Sequence, residues 1–323
     1  MELFCEVARR RSFSKAAEAQ RVSQSSASQA VHALEEQLAL QLVDRSVRPL
    51  GLTPAGKVFF DGCRKLLDGF RLVEDRVRRM TDVVQGRVRV AAIYSVGLIQ
   101  MDACVRRFEE RYPDAELELA YLHPDDVYDR VLNDRADLGL LSFPKEGGDF
   151  SCIPWQEQRM VLVVPPQHAL ATRSEIGVDD FRSEEFVAFT PDLRVRRRID
   201  RWLKQAHVPV KVVHEFDNIE TIKRAVEIGS GVTLLPEPTV RREVELGSLH
   251  ALELTDADWN RPLGIIHRRN KSLTTVGEKF VELLDVDPAA FSAGGNGRKY
   301  AAENGRSAAL QKRRPADLQE TEK

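Results

Sequence analysis

The sequence lacks the features of several classes of protein. None of its apolar runs approaches the ~18 residues that a membrane helix needs, so we expect no contact with a membrane. The opening MELFCEVARRRSF places an amphipathic stretch before a basic cluster, which is the reverse of a secretory signal, so we expect a cytoplasmic protein. The four cysteines, at positions 5, 63, 104 and 152, are scattered without a CxxC motif or a nearby His at metal spacing. This pattern favours free thiols in a reducing compartment, with a redox switch as the alternative.

Enzyme signatures are absent as well. The sequence has no P-loop, no GxSxG, no HExxH and no dinucleotide fingerprint, and its seven His are dispersed. We therefore expect no enzymatic activity, no metal and no cofactor. The formal net charge of −2 argues against electrostatic binding of nucleic acid by the whole protein surface. It does not exclude binding by a local patch of positive charge.

One predicted helix, VSQSSASQAVHALEEQL at residues 22–38, has an exposed face without Lys or Arg. Surface helices usually carry Glu and Lys there, whereas Ser, Gln and His can read base edges in the major groove of DNA. Two short helices precede it, so residues 1–57 predict a helix-turn-helix domain that binds double-stranded DNA; a merely solvated helix is the alternative. The predicted DNA contacts are Ser23, Gln24, Ser25, Ser28, Gln29 and His32, with Arg45 and Arg48 on a small two-stranded wing.

A long helix is predicted to begin at Thr53-Pro54 and to run to about Val84. Its apolar residues alternate in steps of four and three, which is a heptad seam. The other faces are heavily charged, which favours a coiled coil with a second subunit over packing on the same domain. Residues 58–86 are therefore predicted to form a linker and dimerisation helix. The predicted contacts are Phe59, Leu66, Phe70, Val73, Val77 and Met80, and Cys63 and Val84 share their spacing.

Strands and helices alternate from Gly86 onwards, which predicts an α/β region with largely parallel sheets. Nearly 200 residues is long for one sheet, so we expect two lobes. The segment 288–323 is rich in Gly, Ala and charge and has no apolar periodicity, and it predicts a disordered tail.

The N-terminal segment resembles the DNA-binding domain of the LysR-type transcriptional regulators. The matching stretches are SFSKAA, VSQSSAS, LEEQL, Asp44-Arg45 and LTPAG. The sequence departs from the family at Ala39, where Gly is usual, and at Val43, where Phe is usual. It also lacks the Arg or Lys that the family often has near Gln29. The first two departures affect packing, and the third affects which bases are read.

The resemblance implies a fold of class α + α/β. It consists of a winged helix-turn-helix, a long linker helix and a two-lobed effector domain like type 2 periplasmic binding proteins. Residues 87–287 would form that domain, with 87–160 and 265–287 in lobe I and 161–264 in lobe II. The resemblance further implies a homodimer, a homotetramer built as a dimer of dimers, and RNA polymerase as a potential partner. The effector would be a small molecule held between the lobes.

Ligands bind α/β sheets beyond the carboxyl ends of strands, at the starts of helices. Applied to the predicted strands, this rule gives a candidate effector site at Tyr94, Ser95, Ser142, Phe143, Thr190, Arg194, Asn218 and Pro236. Neutral donors beside helix N-termini predict a small anionic effector. The basic run RVRRRIDR, residues 194–201, is predicted to spread its arginines around a solvated helix. A small-molecule-binding protein of the periplasmic class, without a role on DNA, is the alternative function.

Overall fold

Three short helices and a wing form the N-terminal unit. The computed structural model describes residues 1–78, 80, 83–145, 147–269 and 271–284. The helices are α1 (Glu2–Arg10), α2 (Phe13–Ala19) and α3 (Gln24–Leu38), and the strands are β1 (Val43–Asp44) and β2 (Gly51–Leu52), which pair antiparallel. Helix α3 begins where the Ser23 hydroxyl accepts a hydrogen bond from the Ser26 N–H at 3.1 Å. The predicted winged helix-turn-helix is confirmed.

A buried carboxylate that the sequence analysis did not single out joins α3 to the wing. Glu35 is 8% exposed, and its Oε1 accepts hydrogen bonds from the N–H groups of Leu42 at 2.8 Å and Val43 at 3.0 Å. Hydrogen bonds to a charged group are stronger than neutral ones. Glu35 therefore fixes the start of the wing relative to α3.

The long helix α4 (Pro54–Arg78) begins as predicted but ends six residues before Val84. Val84 packs against the core of the following domain instead. Strand β3 starts two residues later at Gly86, whose φ of 119° suits glycine. Phe59, predicted for the dimer seam, lies inside its own domain, where its ring meets Phe4 edge-on at 5.5 Å. Cys63, which shares the spacing of the seam, is buried in the same core. The remaining predicted contacts are exposed in the single chain, namely Leu66, Phe70, Val73, Val77 and Met80.

The C-terminal region alternates strands and helices as expected. The first part contains β3 (Gly86–Ile93), α5 (Tyr94–Arg111), β4 (Ala115–Leu122), α6 (Pro124–Leu132), β5 (Leu138–Ser142) and β6 (Phe150–Val164). The second part contains β7 (Glu175–Ile176), β8 (Glu185–Phe189), α7 (Arg194–Gln205), β9 (Lys211–Phe216), α8 (Ile219–Glu227), β10 (Thr233–Pro236), α9 (Arg241–Glu245) and β11 (His250–Leu254). Strand β12 (Asn260–Arg268) and helix α10 (Thr275–Leu283) complete it.

Two hydrophobic cores divide this region into two lobes. Residues from 88 to 153 and from 263 to 284 form the core of lobe I, and residues from 160 to 259 form the core of lobe II. Strands β6 and β12 pair antiparallel and carry the chain from one lobe to the other. The eight-stranded sheet is therefore mixed rather than largely parallel, with parallel pairs β3–β4, β3–β5 and β7–β11 beside the antiparallel pairs. Strands β8 and β9 pair parallel in a separate two-stranded sheet. The α/β class with two lobes is confirmed.

Ion pairs and hydrogen bonds anchor α4 to lobe I. Asp134, which has no exposed surface, accepts a hydrogen bond from Arg64 Nε of α4 at 2.7 Å. Arg268 bridges Asp134, at 3.1 Å, and Asp68 of α4. Farther along α4, Asp75 accepts a hydrogen bond from the Thr275 N–H at 3.0 Å, at the start of α10. Residues 285–323, which include the predicted tail, lie outside the described residues.

Candidate DNA interface and effector cleft

The outer face of α3 is the candidate DNA interface. Gln24, Ser25, Gln29 and His32 are exposed, and Ser28 is half-buried. Ala27 and Val31 on the opposite face are buried in the domain core. The helix therefore presents short hydrogen-bonding side chains outward from a fixed base, as a recognition helix does. Three of the predicted contacts on this helix are engaged within the chain. Ser23 caps α3, the Ser25 hydroxyl is hydrogen-bonded to that of Ser23 at 2.8 Å, and the ring of His32 lies 3.3 Å from Glu36.

The two wing arginines differ in how they are held. Arg45 lies over the ring of Phe13 at 5.3 Å and pairs with Glu35 at 3.3 Å, so packing fixes its position. Arg48 is exposed and donates only to the backbone carbonyls of Arg45 and Val47. Of the two, Arg48 is the one whose charge is free to meet a phosphate.

A cleft of about 360 Å³ opens between the lobes. The starts of four helices meet there. Tyr94 and Ser95 belong to α5, His123 and Pro124 to α6, Leu193 and Val195 to α7, and Asn218 and Ile219 to α8. In α5, α6 and α7 no side chain caps the first turn. Free N–H groups and the positive ends of helix dipoles favour an anion at such a place.

Arg261 of the crossover strand β12 lies at the same cleft and is only 2% exposed. Its Nη1 donates to Ser95 Oγ at 2.9 Å, and its Nε donates to Gln158 Oε1 at 3.0 Å. No carboxylate of the described residues lies within ion-pair distance of it. Burial alone lowers its pKa from 12.5 to about 9. A buried cation without a counter-ion is energetically unfavourable, so an anion bound beside Arg261 would stabilise this position.

Acceptors line the rest of the cleft. Asp126, Asp217 and Glu220 are among its lining residues. Glu220 pairs with Lys223 at 3.0 Å, and Asp217 accepts from the Asn218 amide at 2.8 Å. One cation beside several acceptors suits a ligand with an acidic group at one end and hydroxyl or amine groups at the other.

The structure brings together four of the eight residues predicted for the effector site, namely Tyr94, Ser95, Ser142 and Asn218. Asn218 is partly engaged, because its Oδ1 caps α8 by accepting the Thr221 N–H at 2.9 Å. The other four residues do not line the cleft. Phe143 and Arg194 line a neighbouring depression, the Thr190 N–H donates to the Phe216 carbonyl at 3.0 Å, and Pro236 is buried in strand β10.

Arg261 was missed because the strand-end rule points to helix starts and ignores crossover strands. A signal was present, since Arg261 stands between the apolar Trp259 and Leu263 near the predicted return of the chain to lobe I. Another cavity of about 400 Å³ lies between α4 and lobe I. Its charged groups include Asp68, Arg89, Asp137 and Arg268, which already pair with one another or with neighbours.

The exposed side of α4 is apolar. Leu66, Phe70, Val73 and Val77 are between 56% and 63% exposed, and Met80, just beyond the helix, is 85% exposed. Large apolar side chains in a row on one helix face are typical of a surface that is covered by a partner. No helix in the described part of the chain is long and apolar enough to cross a membrane. Among the described residues there is also no cluster of three or more His, Cys, Asp or Glu that could hold a metal.

Comparison with protein families gives two matches. Residues 1–57 match the model described as "Bacterial regulatory helix-turn-helix protein, lysR family". Residues 81–286 match "LysR substrate binding domain". The boundary between the two matches falls in α4 and the segment after it.

The chain is similar over most of its length to bacterial transcriptional regulators. It is 24% identical to the HTH-type transcriptional regulator CysL of Bacillus subtilis, over 88% of this chain and 95% of that protein. A full-length OxyR variant from Pseudomonas aeruginosa has the same fold, with a TM-score of 0.71 and 19% identity over 90% of this chain and 92% of the other. The CcmR regulatory domain of Synechocystis, solved in complex with 2-PG, has a TM-score of 0.57 and 23% identity over 66% of this chain and 99% of the other.

Proposed function

Since the chain belongs to the LysR family of bacterial transcriptional regulators, we propose that a small anionic metabolite, bound between its lobes, switches its hold on DNA. The match of residues 1–57 to a DNA-binding model leaves the alternative of a binding protein without a role on DNA unsupported. The proposed role is regulatory rather than catalytic, requires no cofactor and places the protein with the chromosome in the cytoplasm.

Arg261 is the observation that carries the proposal of an anion. It is a buried cation with neutral partners only, and three uncapped helix starts surround the same cleft. The acidic group of the ligand would meet Arg261 and the Ser95 hydroxyl. Its polar remainder would face Asp126, Asp217 and Glu220. The complex of the CcmR regulatory domain with 2-PG supports a small molecule as the ligand of such a domain.

Two copies of the chain would pair along α4. The apolar side from Leu66 to Met80 would be buried between them, and the two α3 helices would then read an inverted repeat. A ligand acts only through different affinities for two arrangements of the protein. Closure of the lobes on an anion supplies two such arrangements, and α4 is bonded to lobe I.

The test begins with DNA that is recovered together with the protein and sequenced. Footprinting on that DNA is repeated with small anionic metabolites, using the wild type and Ser95→Ala. We expect the wild-type footprint to change with one of them. Ser95→Ala should fold and bind DNA but lose that response, because Arg261 loses its hydroxyl partner and the anion loses a donor.

Ser174→Ala is the matched control, because Ser174 is exposed and lies outside the cleft. Ser95→Glu would place a carboxylate beside Arg261 and should make the protein unresponsive as well. If Ser95→Ala and Ser95→Glu respond to the effective metabolite as the wild type does, the ligand does not bind at Arg261 and the proposal is wrong.

A further inference from the structure

Helix α7 carries an arginine stripe, which consists of Arg194, Arg197, Arg198 and Arg201. These positions follow the spacing i, i+3, i+4, i+7, so they share one face of the helix. This corrects the expectation that the run spreads its charges around a solvated helix. With Phe143 they line a depression of about 370 Å³, which we call the arginine groove. The groove is separate from the cleft that contains Arg261.

The stripe is not neutralised by the chain. Among the described residues, no carboxylate lies within ion-pair distance of its four members. The same helix neutralises its remaining N-terminal arginine fully, because Arg196 pairs with Asp200 at 2.8 Å and with Glu215 at 2.7 Å. Like charges at these spacings destabilise a helix. An anion in the groove would therefore relieve a repulsion that the fold leaves in place.

Two of the four guanidinium groups are held in position. Arg194 donates to the Phe143 carbonyl at 2.8 Å and lies 5.9 Å from the centre of the Tyr128 ring. Arg198 lies 5.7 Å from the ring centres of both Phe143 and Trp202. Contacts with aromatic rings orient a guanidinium without neutralising its charge, because the rings carry no net charge. Arg197 and Arg201 are exposed at the rim of the groove.

We propose that the arginine groove is a second anion site, and that its ligand is a small molecule bearing two or more linked phosphate groups. Guanidinium forks match phosphate oxygens, and arginine stays charged at every physiological pH. The stripe is about 10 Å long, since it spans seven residues of helix. Proteins that bind duplex DNA through its backbone make about 6 to 10 phosphate contacts. Four arginines on this short face offer fewer, so a small ligand fits the groove better than duplex DNA does.

The groove lies where the lobes meet. Phe143 follows strand β5 of lobe I directly after Ser142, which lines the cleft. Arg194 stands on α7 of lobe II between Leu193 and Val195, which also line the cleft. A ligand in the groove would therefore contact α7 of lobe II and Phe143, whose ring packs against the core of lobe II, beside the cleft without entering it.

Titration calorimetry on the full chain at constant ionic strength tests the site, with inorganic tripolyphosphate as the probe. We expect saturable binding of one tripolyphosphate per chain and no saturation by sulfate at the same concentration. Arg197→Gln combined with Arg201→Gln should weaken the binding at least tenfold. Both residues are exposed, so the fold should persist. Trp202 lies against Arg198, so its fluorescence should change on binding in the wild type and much less in the double variant.

Arg107→Gln combined with Arg242→Gln is the charge-matched control, because both arginines are exposed and have no ion pair within the described residues. It should bind tripolyphosphate within twofold of the wild type, and so should Arg261→Met. Titration with ATP identifies the source of the phosphates: equal affinity indicates that only the phosphate chain is recognised, and tighter binding indicates a nucleotide.

Three kinds of result would overturn the proposal. The first is general attraction of the probe to positive charge, which would appear as the absence of saturable binding or as an equal loss of affinity in both double variants. The second is loss of tripolyphosphate binding in Arg261→Met, which places the probe in the cleft. The third is a flatter salt dependence of DNA binding in the Arg197/Arg201 variant than in the control, which makes the stripe a DNA contact.

Discussion

Arg261→Met should make the effector domain more stable in the absence of ligand. The pKa of Arg261 falls from 12.5 to about 9 on folding because of burial. At about 1.4 kcal/mol per pKa unit, this shift lowers the free energy of unfolding by about 5 kcal/mol. A base with a lowered pKa destabilises the fold at every pH below its folded pKa. The effect is therefore fully present at neutral pH and is relieved as the pH rises through about 9.

The substitution also removes useful contacts. Gln158 is 3% exposed and loses the donors to its Oε1, and a buried polar atom without a partner costs about 1–3 kcal/mol. Methionine is unbranched and can fill the space of the arginine stem. The net expectation is a gain of about 2–4 kcal/mol in the free energy of unfolding, within the range found when buried charges are replaced by apolar groups.

Urea denaturation followed by tryptophan fluorescence measures this gain. All three tryptophans, at positions 155, 202 and 259, belong to the effector domain, so the signal reports that domain alone. Arg159→Met is the control, because Arg159 forms an exposed ion pair with Glu253 at 2.6 Å and its loss should change stability by less than about 1 kcal/mol. If Arg261→Met instead lowered the free energy of unfolding by about 2 kcal/mol or more, the hydrogen bonds of Arg261 within the fold would outweigh the cost of burying its charge. Arg261 would then not be the binding group for an anion.

Three further results are expected. Gln29→Ala should weaken binding to the specific DNA site by about 1–3 kcal/mol, whereas Arg48→Ala should weaken binding to all DNA and lower the salt slope by about one; equal loss on specific and random DNA for Gln29→Ala would contradict this assignment. Phe70→Asp should give a folded monomer by light scattering, because Phe70 is 59% exposed in the single chain; a stable dimer would exclude the seam. Ala39→Gly should raise the free energy of unfolding, measured by thermal denaturation, by about 0.5–1 kcal/mol, because Ala39 ends α3 in a left-handed conformation with φ of 50°. A decrease in that free energy would show that the backbone at Ala39 is unstrained.

Local patterns predicted the fold well. The spacing of Ala27 and Val31, the capping residue Ser23 and the alternation of strands with helices each depend on near neighbours in the sequence. The heptad pattern could not show that Phe59 faces its own domain, because the same apolar spacing suits a domain core and a dimer seam. Phe59 belongs to the domain core because its ring contacts Phe4, which lies more than 50 residues away in the sequence.

The site was predicted only in part, for a similar reason. Ser95 and Asn218 follow predicted strands, so a rule about strand ends finds them. Arg261 meets Ser95 across 166 positions of sequence, and only the pairing of β6 with β12 brings them together. Arg194 fits the rule but faces the groove instead, because the first turn of α7 directs Leu193 and Val195 to the cleft.

The anchoring of α4 to lobe I gives the helix the mechanics of a lever. Arg64, Asp68 and Asp75 bond the helix to lobe I, so it turns with that lobe, and its first residue, Pro54, carries the winged domain. From Asp75 to Pro54 the helix runs 21 residues, or about 32 Å at 1.5 Å per residue. If lobe I turned by about 10° and carried the anchored end with it, the far end would move by about 5–6 Å, which exceeds the 3.4 Å rise between base pairs. A movement too small to disturb the core of lobe I is thus long enough to take α3 out of register with the DNA.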